Sequence, residues 1–229
     1  MVAGEYPRDG LFARLRAACA AEWRDYTHHP FVAALAAGAL PKAAFRAYLI
    51  QDYIFLRHFA RAYGLAAYKA ESLAEIRAAS RGLRAIVDVE IGLHENYCAA
   101  WGLATAALET AREDSATLAY TRYVLERGMA GDLLDLYVAL APCIVGYGDI
   151  GARLLADGNT RLDGNPYRQW IEMYGGADYQ RTAAEAVEFL QTIGQARGAA
   201  ERIASLTGNF RQATRLETAF WQMGLAAAD

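Results

Sequence analysis

An all-α fold is predicted by three observations. Apolar residues recur at three- and four-residue steps along nearly the whole chain, no period-two stretch of any length occurs, and only five prolines interrupt 229 residues that are 55% hydrophobic. The composition is rich in alanine, the strongest helix former, and a chain of this size can bury a large core. With no internal repeat and no low-complexity linker, a single helical domain over 1–229 is expected.

The elements follow in order. Leu11, Leu15, Ala18, Glu22 and Tyr26 share one face of a first helix, which His28-His29-Pro30 ends. A short helix from Phe31 to Ala37 stops at Gly38, and Pro41 opens a long one that runs to about Ala70. A third long helix covers Leu73 to Trp101, with Gly102 as its stop. Asp114-Ser115 caps a fourth that reaches Arg127, and Gly131-Asp132 opens a fifth to Ala156. The cluster Gly158, Asn159, Gly164 and Asn165 marks a loop over Asp157 to Asn165. Helices over Pro166 to Tyr174, Asp178 to Ala196 and Asn209 to Leu225 complete the chain.

Charge and cysteine usage narrow the function classes. The formal net charge is -3 and the sequence pI about 5.8, with no basic run, so a nucleic-acid partner is not expected. Met1 to Gly10 is short and polar and does not read as a signal peptide. No stretch approaches the ~20 unbroken apolar residues of a membrane span, so no membrane partner is expected. Three cysteines at wide spacings, Cys19, Cys98 and Cys143, form neither a disulfide framework nor a zinc pattern, and a reducing cytoplasm is expected.

Polar groups within the apolar stripes carry the functional information. Phe45, Tyr48, Asp52, Phe55, Phe59 and Tyr63 share a face, which sets Asp52 inside an aromatic stripe. A carboxylate buried there needs a partner or takes up a proton. On the next long helix Leu83, Val87, Glu90, His94, Tyr97 and Trp101 align. Glu90 and His94 are then either metal ligands or a structural hydrogen-bonding pair that bonds together or to a neighbouring helix. A di-iron bundle uses Glu and His three residues apart, twice over, whereas this chain has four histidines and one such pairing, at a different spacing.

The fifth long helix lines up Leu133, Leu136, Leu140, Cys143, Tyr147, Ile150 and Leu154. A buried cysteine is ordinarily a small inert hydrophobe, the reading given to Cys19 and Cys98. Cys143 is set apart by Pro142, which costs a helix interior about 3 kcal/mol, and by Gly146, Gly148 and Gly151, each worth up to ~1 kcal/mol. The bare backbone is expected to leave room for a flat ligand over the thiol. On the last helix Phe210, Ala213, Glu217, Phe220 and Gly224 align, with Glu217 flanked by aromatics. Asp52, Cys143 and Glu217 thus come from three helices. A thiol with carboxyls in aromatic surroundings suits nucleophilic attack with proton transfer. No Lys, Arg or His adjoins Cys143 in sequence, so its activating base must come from elsewhere in the fold.

A set of segments, in order, resembles the signature of the TenA family of thiaminase II-type hydrolases. These are His29-Pro30-Phe31-Val32, Tyr48-Leu49-Ile50-Gln51-Asp52-Tyr53, Leu140-Ala141-Pro142-Cys143 with Gly146-Tyr147 and Ile150-Gly151, Trp170-Ile171 with Tyr174, and Glu217-Thr218-Ala219-Phe220-Trp221-Gln222-Met223. The arrangement of Glu90, His94, Tyr97 and Trp101-Gly102 also recurs in that family.

The resemblance implies a heme-oxygenase-like multi-helix bundle assembled as a homotetramer. It further implies hydrolysis of 4-amino-5-aminomethyl-2-methylpyrimidine, or of thiamin, to 4-amino-5-hydroxymethyl-2-methylpyrimidine, with no metal and no organic cofactor. Carried over by position, Cys143 is the nucleophile, Glu217 the acid/base and Asp52 the carboxylate that holds the pyrimidine 4-amino group. Phe55, Tyr120, Tyr147, Tyr174 and Phe220 line the pocket, with Tyr167 the competitor to Tyr174. Phe55 stands where a tyrosine is common, and Val145 and Asp149 replace a tryptophan and a glutamate. These departures are expected to tune substrate preference. Two other uses of the same fold stay open: a di-iron or cofactor-free oxygenase of the kind represented by pyrroloquinoline quinone synthase, and a non-catalytic thiamin-responsive regulator.

Overall fold

The computed structural model describes residues 9–227. The reading of Met1 to Gly10 falls, apart from its last two residues, outside them. The helices are α1 (Leu11–Ala18), α2 (Ala20–Thr27), α3 (Pro30–Ala36), α4 (Lys42–Lys69), α5 (Leu73–Arg84), α6 (Ile91–Ala100), α7 (Thr105–Thr110), α8 (Ser115–Ala130), α9 (Leu133–Ala156), α10 (Arg168–Gly175), α11 (Ala177–Ala196) and α12 (Ile203–Ala226), with a π-helical segment, Ala85–Glu90, joining α5 to α6. No strand occurs among the described residues.

By internal contacts the described residues divide into two compact units, 9–40 with 137–221, and 41–136 with 222–227. The first is built on aromatic packing. Trp23 stacks on Phe210 at 5.6 Å, Phe31 stacks on Trp221 at 4.8 Å, and Phe12 sets its edge against Trp23. The His29 ring nitrogen accepts from Phe31 N at 3.2 Å and caps α3, whose first residue is Pro30. Asn165 donates to Leu35 O at 3.0 Å and accepts from Tyr167 N at 2.8 Å, which fixes the loop before α10.

The second unit is organised around α4, against which α5, α6 and α8 pack. Gly82 permits the close approach of α5: a Cβ there would fall 2.2 Å from the Tyr63 ring. Gln51 ties α4 to the start of α8, donating to Arg112 O at 3.0 Å and accepting from Asp114 N at 2.9 Å and Thr117 Oγ1 at 2.8 Å. Asp114 caps α8 by accepting from Ala116 N at 2.8 Å, as expected from its position.

Several elements differ from the sequence expectation. The first helix is two, broken at Cys19, whose N–H is shared between Leu15 O and Arg16 O and whose backbone leaves the helical region. The buried row therefore runs Leu15, Cys19, Trp23 and Thr27, and Ala18 is exposed. The third long helix contains the π segment, whose wider turn puts Ile86 inside and leaves Val87 50% exposed, so Val87 does not share the Glu90 and His94 face. Helix α7 is a short element that weak periodicity hid, and α12 begins two turns before Asn209. Helix α9 is long and apolar enough to cross a membrane by length and composition, but 83% of that window is buried, as in a core helix.

Candidate active site

Within the first unit, Cys143 lies on α9 directly after Pro142. The carbonyl of Pro142 accepts from the Tyr26 hydroxyl at 3.4 Å. Cys143 is partly exposed, whereas Cys19 and Cys98 are buried. Burial raises the Cys19 thiol and pushes that of Cys98 up to about 12, with nearby Asp52 and Glu95 adding to the latter. Glu217, on α12, is only 2% exposed, and Phe220 one turn on is equally enclosed.

The rings one turn beyond the thiol and the carboxyl meet. Tyr147 follows Cys143 by one turn, Trp221 follows Glu217 by one turn, and their ring centroids are 5.3 Å apart. Residues four apart share a helix face, so Cys143 lies on the Tyr147 face of α9 and Glu217 on the Trp221 face of α12. Tyr147 also packs on Tyr174 at 4.8 Å and Trp170 at 5.8 Å, and Trp170 on Tyr174 at 4.6 Å. Tyr167 is turned elsewhere, its hydroxyl donating to the Leu40 carbonyl.

The glycines of α9 have a different purpose from the expected one. A Cβ at Gly146 would fall 2.3 Å from the Tyr26 ring, one at Gly151 2.3 Å from Gly175 N, and one at Gly148 3.2 Å from Ala183. They let neighbouring protein groups close on α9 and do not clear space for a ligand. Gln180 completes this contact, donating to Gly148 O at 2.8 Å and Tyr174 O at 2.9 Å. Of the departures from the family pattern, Asp149 pairs with Arg16 at 3.2 Å and Val145 is buried.

Within the second unit, Asp52 is 7% exposed on α4. The Tyr48 hydroxyl lies 3.5 Å from its Oδ2 and His94 Nδ1 lies 3.4 Å from the same oxygen. Burial pushes the Asp52 carboxyl up to about 7, opposed in part by Tyr48. Glu90 is likewise pushed up to about 7 by burial and by the charge of Asp52. Burial lowers His94, against the hydrogen bond of Nε2 to Leu49 O at 2.9 Å and the charge of Glu95. His94 therefore bonds to α4 in the way one structural reading expected. No group of three or more His, Cys, Asp or Glu side chains suited to a metal occurs among the described residues. Phe55 packs on Tyr120 at 5.0 Å and on Phe59 at 5.8 Å.

The sequence pattern does not single out Trp170, Trp221 or Tyr26, whose ring stacks on Trp221 at 6.3 Å, nor the contact of His94 with Asp52. Tyr26 lay on a predicted apolar face, where an aromatic residue is ordinarily core. The two tryptophans belonged to recurring segments but carry no titratable group that would have singled them out.

The all-helical arrangement is of the heme-oxygenase-like fold class. A domain of that fold from Shewanella denitrificans superposes with a TM-score of 0.72 at 17% identity, covering 92% of this chain and 90% of that one. Residues 16–227 match the model of the TENA/THI-4/PQQC family, and the chain belongs to that family. It is 46% identical to a TenA family transcription regulator from Silicibacter sp. TM1040, with a TM-score of 0.90 over 96% of this chain and 98% of that structure. It is also 33% identical over 202 residues to the aminopyrimidine aminohydrolase of Halalkalibacterium halodurans, covering 88% of this chain and 89% of the relative.

Proposed function

We propose that the protein is an aminopyrimidine aminohydrolase of thiamin salvage that converts 4-amino-5-aminomethyl-2-methylpyrimidine and water to the 5-hydroxymethyl pyrimidine and ammonia. The observation that carries this reading is the meeting of Tyr147 and Trp221, the rings one turn beyond Cys143 on α9 and Glu217 on α12. The 33% identity to a relative of that name supports it.

In this reading the Cys143 thiolate adds to the ring carbon beside the one that bears the aminomethyl group, which breaks aromaticity. Glu217 gives a proton to the ring nitrogen, and an electron pair from the ring expels the substituent, an ammonium near neutral pH, as ammonia, leaving an exocyclic methylene. Water adds to that carbon and gives its second proton to the departing ammonia, the ring nitrogen returns its proton to Glu217, the thiolate leaves, and aromaticity returns. Asp52 accepts from the 4-amino group. Tyr147, Tyr174 and Phe220, with Phe55 and Tyr120, offer ring faces to a flat substrate. The whole chain, 1–229, acts as one catalytic domain.

The working form in this proposal is a cytoplasmic homotetramer. Leu73, Val87, Val89 and Leu93 stand exposed along α5, the π segment and α6, which supports self-association. Light scattering should give four times the chain mass. The substrate reading is tested by turnover on the aminomethylpyrimidine, its formylated form and thiamin. The aminomethylpyrimidine should give the highest kcat/KM, and no release of ammonia from it would overturn the proposal. The fold's oxygenase and regulator uses gain no comparable support from the residues around Cys143.

A further inference from the structure

Both close polar contacts of Asp52 fall on one oxygen. Tyr48 Oη lies 3.5 Å and His94 Nδ1 3.4 Å from Oδ2, while Oδ1 has no hydrogen-bond partner among the described residues. These distances are at the outer limit of hydrogen bonding, and such contacts commonly shorten once a ligand is bound. The other nitrogen of His94, Nε2, lies 2.9 Å from the Leu49 carbonyl. A carbonyl can only accept, so Nε2 carries a hydrogen and the variable proton of the imidazole is the one at Nδ1. Tyr53, lying nearly parallel to the ring at 6.3 Å, helps to hold its orientation.

One proton can then reside between Nδ1 and Oδ2. On nitrogen it makes an imidazolium facing a carboxylate, and on oxygen it makes a neutral imidazole accepting from a carboxylic acid. In both states Oδ1 remains an acceptor. We propose that His94 is a positioning residue that confines the acid proton of Asp52 to Oδ2, so that Oδ1 always meets the exocyclic amino group of an aminopyrimidine as an acceptor. This inference rests on the aminopyrimidine reading given above.

The point matters because Asp52 is pushed up to about 7, so near neutrality a proton is often on the carboxyl. The ionisable groups acting on the pair are Tyr48 from α4, Glu90 from the π segment, and Glu95 and Cys98 from α6. Burial and Tyr48 account for the shift of Asp52 itself, so removal of His94 leaves that shift in place. With Tyr48 still donating to Oδ2 and no acceptor at Nδ1, the acid proton moves to Oδ1. There it opposes the N–H of the substrate. The binding-competent fraction then falls about tenfold for each pH unit below 7, and the apparent affinity falls with it.

The experiment measures KM and kcat for the aminomethylpyrimidine from pH 6 to 8 in the wild type, His94→Leu and His94→Gln. The Leu variant should raise KM about tenfold at pH 6 relative to pH 8 with kcat little changed, a loss of uniform binding. The wild type should stay within about twofold. Gln keeps a donor for Leu49 and an acceptor for the acid proton, and should restore the pH 6 value to within about threefold of wild type. Binding of the hydroxymethyl product by calorimetry over the same range separates the two proposals. Product binding without turnover in the wild type refutes the hydrolase reading alone. Binding whose pH dependence is the same in wild type and His94→Leu, or a loss confined to kcat, overturns the role given to His94.

Discussion

Replacing Gly151 by alanine tests the helix contact on which the ring cluster is built. The added Cβ would sit 2.3 Å from Gly175 N and 2.4 Å from the Tyr174 carbonyl carbon, against ordinary contacts beyond 3.4 Å. Both obstacles are backbone, so about an ångström of separation must come from moving α10 away from α9. Overpacking of this kind typically costs about 1–3 kcal/mol, and alanine's better helix propensity returns about 1 kcal/mol. The net expectation is a loss of up to about 2 kcal/mol, or a Tm lower by up to roughly 8 °C for a chain of this length. Gly64 supplies the control: it is exposed within α4, and a Cβ there meets nothing within 4 Å. Gly64→Ala should stabilise by up to about 1 kcal/mol through propensity alone. Thermal unfolding followed by circular dichroism reads both variants. A Gly151→Ala protein as stable as Gly64→Ala would refute the claim that this glycine is kept for close packing.

The remaining predictions concern titration and thiol chemistry. Glu90 is pushed up to about 7 in the folded chain from about 4.3 when unfolded, so between those values the folded state holds the extra proton. Its contribution to stability is therefore lost as pH rises from about 4.3 through 7. Glu90→Gln should gain on wild type by on the order of 2–3 kcal/mol between pH 5 and pH 8 in urea unfolding, and a constant difference would contradict the assigned burial. Partial exposure of Cys143, set against burial that raises Cys19 and pushes Cys98 up to about 12, predicts that iodoacetamide at pH 8 modifies Cys143 first. Peptide mass spectrometry reads the order, and equal rates at Cys98 would count against it.

The helical class was legible because the apolar period is long and uninterrupted, and caps such as Asp114 are local signals. The breaks were not. Cys19 interrupts a helix whose propensity favours continuation, and the π segment rotates the register without any proline or glycine to announce it. Asp52 was recognisable as a polar residue in an aromatic stripe, yet its partner His94 lies on another helix, and one residue of register decides whether they face. The glycines of α9 show the opposite error. Their presence was visible, but whether bare backbone admits a ligand or a neighbouring helix depends on Tyr26 and Gly175, which no local pattern names.

The role of Cys143 is tested most directly by Cys143→Ser, assayed for ammonia release from the aminomethylpyrimidine and, by calorimetry, for binding of the hydroxymethyl product. Loss of turnover by at least about a thousandfold with binding retained is the expected result for removal of a nucleophile. Turnover within about tenfold of wild type would contradict covalent catalysis by Cys143.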